Sequence, residues 1–150
     1  MEKEFEAKVI KIESGATYQN HVYDQYVTLE LENKQKIKFF DQACRIKKNM
    51  LEKKVKVQAV MSSLRPKENP EKKQEIIQTI LANAKVSGKI STIGKIKSQF
   101  SDTQYNEYLI DTQYAKFFIH SKDPLKLKKG NYATFEEYGN ELSIGEVQVK

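Results

Sequence analysis

Cysteine, tryptophan and histidine are scarce in this sequence, and each shortage excludes something. Of the 150 residues, one is cysteine, two are histidine and none is tryptophan. A single cysteine, Cys44, cannot form an intramolecular disulfide, which fits a reducing, cytoplasmic setting. One cysteine and two histidines, His21 and His120, give no metal-ligand cluster at zinc-like spacing. We therefore predict neither a metal nor a cofactor.

Long apolar runs and the short motifs of common enzymes are also missing. No stretch of 18 apolar residues exists, so no transmembrane helix is predicted, and the start at residues 1–4 lacks the apolar run of a signal peptide. There is no Gly-x-Ser-x-Gly motif and no phosphate-binding Gly-Lys-Ser/Thr loop. We expect no enzyme activity and no catalytic residue. The enzyme alternative is a nuclease built from carboxylates such as Asp24, Glu30 and Asp111.

Arginine is scarce, so lysine carries the positive charge. The formal net charge is +6, yet only Arg45 and Arg65 are arginines. A basic chain favours a polyanionic partner such as nucleic acid; without a long amphipathic helical pattern, a membrane partner is not predicted. Lysine acts on phosphate as a point charge, whereas arginine reads bases with two hydrogen bonds. The composition thus favours sequence-neutral binding, the alternative being that it only mirrors a lysine-rich proteome.

The two halves of the chain resemble each other, and we favour an internal repeat over chance similarity between two β-rich segments. Lys38-Phe39-Phe40 in the first half returns as Lys116-Phe117-Phe118 in the second, each after a β-like stretch with a tyrosine. Ala-Lys-Val opens each half, at residues 7–9 and 84–86, and a Leu-x-Lys step, at residues 51–53 and 127–129, follows each Phe-Phe pair. Such self-similarity indicates two copies of one structural unit. We place these units at residues 1–82 and 83–150.

Alternating apolar and polar residues predict that both units are built from strands. A connector at residues 41–50 holds a short helix in this interpretation, and residues 62–75, with Pro66 and Pro70, form a loop. Residues 75–84 fit a strand or a helix, and we favour a strand. The predicted strands are residues 5–13, 22–32, 35–40, 53–60, 75–84, 85–96, 107–112, 114–120, 132–137 and 142–149.

The order of these strands, with a connector after the third, resembles the OB-fold. Residues 127–133, Leu-Lys-Lys-Gly-Asn-Tyr-Ala, resemble the Leu-Lys-x-Gly-Asp-x-Val motif at the fourth strand of such barrels, whereas the first copy, at residues 51–57, lacks the glycine. The chain is similar in this respect to tandem OB-fold single-stranded nucleic-acid-binding proteins of the replication protein A class. The resemblance implies an all-β fold with two small OB-fold-like five-stranded barrels in tandem.

Lysines and aromatic residues alternate on the third strand of each unit. If Phe39 and Phe117 face the core, their neighbours face outward. Lysine can neutralise phosphate and aromatic rings can stack on unpaired bases. Loop aromatics and the arginine of the proline-containing loop would extend the surface. The predicted nucleic-acid-binding residues are Tyr18, Tyr26, Lys36, Lys38, Phe40, Arg65, Phe100, Tyr105, Tyr114, Lys116, Phe118 and His120.

These patterns predict non-catalytic binding of single-stranded DNA or RNA, DNA favoured, with low sequence specificity. Stacking contributes about 1–3 kcal/mol per base, and lysine–phosphate attraction adds to it. The alternative is a protein-interaction or adaptor module, in which the outward phenylalanines pack against a protein partner, a second copy of the chain or the other unit. A role on RNA in translation is equally compatible with the sequence.

Overall fold

Strands make up nearly all of the regular structure in the computed structural model, which describes residues 3–78, 84–97, 104–121, 127–137 and 142–149, and the backbone alone at residues 64, 65, 137 and 149. One 3₁₀ turn, Lys48–Met50, lies in the connector before β6. The strands are β1 Phe5–Ser14, β2 Thr17–Tyr18, β3 His21–Val22, β4 Gln25–Glu30, β5 Lys36–Asp41, β6 Lys54–Glu68, β7 Glu75–Gln78, β8 Ala84–Lys97, β9 Gln104–Asp111, β10 Lys116–Ser121, β11 Tyr132–Glu137 and β12 Ser143–Val149.

The main sheet closes on itself twice. The pairings β1–β4, β4–β5, β5–β12, β12–β6 and β6–β1 form one five-stranded ring. The pairings β6–β10, β10–β9, β9–β8, β8–β11 and β11–β6 form a second. The predicted fold class is confirmed: the chain is all-β, with two OB-fold-like five-stranded barrels in tandem.

Strand β6 belongs to both barrels. One of its edges pairs first with β1 and then with β10, and the other pairs first with β12 and then with β11. The loop predicted at residues 62–75 is therefore wrong up to Glu68, although Pro66 lies in that segment. Beyond Ser63 the pairing with β10 has ended, and a strand that is paired on one edge tolerates a proline.

Strand β12 returns to the first barrel. It runs antiparallel to β6 from Ser143 opposite Val60 to Val149 opposite Val55, and it bridges to β5 through Ser143 and Phe40. A division of the chain at residues 82 and 83 stays a prediction, since that boundary falls outside the described residues. The strand pairing shows that residues on both sides of it contribute to the first barrel.

The edge of β5 at Lys38 is completed by hydrogen bonds with β7. Gln78 accepts a hydrogen bond from the backbone N–H of Lys38 (2.7 Å) and donates one to its carbonyl oxygen (2.5 Å). Gln35 donates to the carbonyl oxygen of Ile76 (2.6 Å). Because a buried or half-buried backbone group needs a partner, Gln78 here takes the place of a neighbouring strand.

The cores of the two barrels are continuous. Phe5 and Phe39 from the first barrel and Phe117 from β10 are almost fully buried. Their ring centroids lie 6.2–6.4 Å apart, within the range of favourable aromatic pairs. The prediction that Phe39 and Phe117 face inward is correct, and the two copies of the repeat meet in one aromatic cluster.

Gly88 on β8 lies where a side chain has no room. A Cβ atom there would be 2.3 Å from the carbonyl oxygen of Asp111 on β9, a backbone atom that cannot move aside. We expect Gly88→Ala to lower the free energy of unfolding by about 1–3 kcal/mol, as overpacking of a well-filled site does. Urea denaturation followed by circular dichroism measures this change.

Gly94 on the same strand provides the control. Nothing lies within 4 Å of the Cβ position of Gly94. Gly94→Ala should leave the stability unchanged or raise it slightly, because alanine restricts the unfolded chain more than glycine does. Equal destabilisation by the two substitutions would contradict the close approach at Gly88.

Candidate functional site

The outward residues of the two repeats lie in one row across the outside of the barrels. The strand registers connect Tyr26 to Phe40, Phe40 to Ser143, Ser143 to Val60, and Val60 to Phe118. Phe40 and Phe118 are half-buried, and the ring of Tyr26 packs on Phe40 with centroids 5.4 Å apart. The structure thus brings these three aromatic residues to one side of the molecule, as the alternation predicted.

Two residues predicted for this face, Lys38 and His120, have carboxylate partners. Lys38 Nζ lies 3.3 Å from Glu13 of β1 and 5.3 Å from the centroid of the Tyr26 ring. His120 Nε2 lies 2.9 Å from Glu107 of β9. A phosphate that approached Lys38 would meet the charge of Glu13 as well, so the face attracts a polyanion less than its lysine content suggests.

The remaining predicted residues are dispersed. Tyr18 is exposed on the β2–β3 hairpin, a small sheet separate from the barrels, and Tyr105 is half-buried on β9. Lys36 is exposed at the start of β5, and Lys116, at the start of β10, is half-buried. Tyr114 lies in the turn before β10, which starts two residues later than predicted. Arg65 lies on β6, and Phe100 is outside the described residues.

A polar cavity of about 220 Å³ lies on the outside of the second barrel. At its base Ser87 of β8 and Thr134 of β11 face each other, both less than 10% exposed, with their hydroxyl oxygens 2.8 Å apart. One hydroxyl donates to the other, so this contact uses one of their two hydrogens. Asn69 covers the cavity and is fixed by hydrogen bonds to the backbone N–H and carbonyl of Lys73 (3.1 and 2.9 Å).

Three lysines and three glutamates line this cavity, so its formal charge is balanced. The lysines are Lys67, Lys73 and Lys85 and the glutamates are Glu68, Glu71 and Glu75. Lys73 lies 3.2 Å from Glu71, and the hydrogen bond to that carboxylate raises the pKa of Lys73. Lys67 pairs with Glu136 at 3.0 Å. Below these ion pairs, the Ser87–Thr134 pair is neutral.

A larger cavity, about 430 Å³, lies at one end of the first barrel. It is bounded by the end of β1, the start of β4, and the connector that carries Cys44 and the 3₁₀ turn. Burial raises the pKa of the Cys44 thiol, and the nearby charge of Asp41 acts in the same direction. The thiol is therefore protonated at neutral pH and is a weak nucleophile.

The sequence did not reveal the hydroxyl pair of the second barrel. Ser87 and Thr134 are 47 residues apart, and each looks like an ordinary outward position in a strand. They meet because β8 and β11 pair with Thr134 opposite Ser87, while the loop after β6 covers them. Only knowledge of that pairing could have identified them.

Comparison with known proteins finds similarity in structure but not in sequence families. No family model matches the chain, and no curated protein matches it. A solved structure, that of the cytoplasmic molybdate-binding protein ModG with molybdate bound, is similar over 98% of this chain and 95% of its own, with a TM-score of 0.51 and 14% sequence identity. At this identity the similarity shows the fold.

The prediction of single-stranded nucleic-acid binding is wrong. A structural neighbour that covers nearly the whole chain is described as a molybdate-binding protein, not a nucleic-acid-binding one. The face that suggested DNA or RNA as partner also has Lys38 and His120 beside carboxylates. The same finding does not favour the adaptor alternative. In the described residues no helix is long and apolar enough to cross a membrane.

Proposed function

We propose that this chain is a non-catalytic binding protein for a small tetrahedral oxyanion of the molybdate class. The observation that carries the proposal is the extent of the similarity to a molybdate-binding protein, which includes both barrels and leaves little of either chain unmatched. The net charge of +6 agrees with an anionic ligand. A cytoplasmic location, which the similar protein's description also gives, stays a prediction for this chain.

The cavity over Ser87 and Thr134 has groups that suit such a ligand. An oxyanion accepts hydrogen bonds at every oxygen, and bonds from hydroxyl and ammonium donors to a charged acceptor are the stronger ones. The hydroxyl pair has one hydrogen left over from its own contact, and this provides a neutral donor on rigid, paired strands. Lys85, Lys67 and Lys73 supply positive charge around them. The arrangement combines a fixed base with cations that can adjust at the rim.

The glutamates of the cavity weaken its attraction for an anion. With three carboxylates against three lysines, the net field attracts a dianion only weakly. An oxyanion would compete with Glu71 for Lys73 and with Glu136 for Lys67. Affinity would then depend mainly on the hydroxyl donors, and added salt would weaken binding through the exposed lysines.

Isothermal titration calorimetry with molybdate, tungstate, sulfate and phosphate tests this proposal. We expect saturable binding of at least one of these anions. The double substitution Ser87→Ala and Thr134→Val removes both hydroxyls and keeps their volume, so the fold should tolerate it. It should weaken binding by about tenfold or more, as the loss of hydrogen bonds to a charged ligand does.

A matched control lies on the same strand as Ser87. Ser91→Ala with Thr92→Val makes the same chemical changes outside the cavity, at a half-buried and an exposed position. This variant should bind like the unchanged protein. Absence of saturable binding of all four anions at millimolar concentration would overturn the proposed function. Binding that the Ser87 and Thr134 substitutions leave intact would overturn only the assignment to this cavity.

A further inference from the structure

The end of the first barrel between β1, β4 and the connector is open. The connector supplies one 3₁₀ turn, Lys48–Met50, and a cavity of about 430 Å³ remains beside it. That volume lies in the range of pockets that hold small organic molecules. The cavity is distinct from the polar one on the second barrel, and its chemistry differs.

The walls of this cavity are largely apolar. Ile12, Val22, Ile46 and Leu51 line it, and Ile46 belongs to the barrel core. Leu51 is 43% exposed, which is unusual for a large aliphatic side chain beside a cavity. A ligand with a hydrocarbon body would cover these side chains, and removal of apolar surface from water would stabilise the complex.

The rim of the cavity is cationic. Lys47 and Lys48 line it, and no carboxylate is among the described residues that do so. Lys47 Nζ donates a hydrogen bond to the carbonyl oxygen of Cys44 (2.7 Å), which holds this ammonium group over the connector. The cavity of the second barrel, in contrast, has a glutamate for each lysine. The two charges that line this cavity are therefore both positive and favour an anionic group, while Asp41 and Asp24 act on the Cys44 thiol from outside the lining.

The base of the cavity is fixed before any ligand arrives. Asp41 is fully buried and accepts hydrogen bonds from the backbone N–H groups of Arg45 (2.9 Å) and Ile46 (2.8 Å). It also accepts one from Gln25 Nε2 (2.9 Å), and Gln25 donates a second to the Ile46 carbonyl oxygen (2.6 Å). These hydrogen bonds satisfy the Asp41 carboxylate behind the base of the cavity and fix the connector. The connector therefore loses little conformational entropy when a ligand binds.

We propose that this cavity binds a small anion with an apolar body, of the kind represented by a medium-chain carboxylate. The hydrocarbon part lies against Ile46 and Leu51, and the carboxylate lies between Lys47 and Lys48. This site is independent of the oxyanion function, because it lies in the other barrel and uses different donors. Decanoate is the ligand we would use to test it.

Cys44, the only cysteine of the chain, reports on the site because it lines the cavity. The rate of its alkylation by N-ethylmaleimide, a neutral reagent, is measured at constant pH with and without ligand. Decanoate at ten times its dissociation constant should slow the reaction about tenfold, since only the unoccupied fraction reacts. Acetate, which has no apolar body, and 1-decanol, which has no charge, should protect much less at equal free concentration.

Charge reversal at the rim provides the decisive comparison. Lys47→Glu with Lys48→Glu should abolish protection by decanoate, while Lys128→Glu with Lys129→Glu, the same change at two exposed lysines of the second barrel, should not. The alkylation rates with and without decanoate are compared within each variant, because nearby charges also change the thiol pKa. Leu51→Ala should weaken protection without altering charge. Failure of decanoate to protect Cys44, or equal protection by acetate, would overturn the proposal.

Discussion

A chain that ends after residue 141 is expected to lose the cooperative unfolding of its first barrel. Without β12, the edge of β6 from Val55 to Val60 and the edge of β5 at Phe40 have no partner. Leu142 and Ile144, both buried, would also leave the core. Each such side chain contributes about 1.5–3 kcal/mol through burial, and small domains have only about 5–15 kcal/mol in total.

Addition of a synthetic peptide of residues 142–150 should restore the cooperative unfolding of the first barrel. An extended peptide can add a strand to an exposed sheet edge, with backbone hydrogen bonds giving affinity and side-chain pockets giving register. A peptide with Leu142→Asp and Ile144→Asp serves as the control and should not restore it. Thermal unfolding of the truncated chain with either peptide measures both effects. A truncated chain that unfolds as cooperatively as the full chain would contradict the closure seen here.

Phe117→Ala should be among the most destabilising single substitutions in the protein. The Phe117 ring is fully buried and lies 6.2 Å from Phe5 and 6.3 Å from Phe39, so its removal opens a cavity where the two barrels meet. Phenylalanine-to-alanine changes in cores cost about 3–5 kcal/mol. The m-value and the midpoint of urea denaturation give the free energy of unfolding for comparison.

Phe118 is a control of the same residue type on the same strand. It is half-buried on the outer face, so Phe118→Ala should cost less than half as much as Phe117→Ala. Loss of Phe117 should also lower the unfolding midpoint of both barrels together, because its ring contacts residues of both. Comparable costs for the two substitutions would show that the inward and outward assignments of this strand are incorrect.

The sequence contained enough to predict the barrels but not how they are joined. Alternation identified the strands and placed Phe39 and Phe117 inside, because the period of a strand is a local property. The extension of β6 past Pro66 depends on which edge is unpaired at that point, and the return of β12 to the first barrel depends on distant partners. Neither is encoded in the spacing of nearby residues.

The candidate sites were also predictable only in part, because some of their features depend on nearby residues and others on residues far along the chain. The lysine and aromatic positions on β5 were assigned to the correct face, yet Glu13, which pairs with Lys38, is on β1 and reaches it only through the order β1-β4-β5. Ser87 and Thr134 required the β8–β11 register, and the cavity beside Cys44 required the fold of the connector. The sequence pattern predicted the residue types and the face on which each lies. The partners on other strands, which the pattern does not show, determine which groups form ion pairs and hydrogen bonds.

The shared strand β6 also has a consequence for how the protein folds during synthesis. The first barrel cannot close until β12 has been made, about 75 residues after the end of β6. At ribosomal rates of about 5–20 residues per second, that interval is roughly 4–15 s. During this time β6 presents an open edge, which is a template for wrong pairing. The nascent chain therefore has an open strand edge that the finished barrel covers with β12.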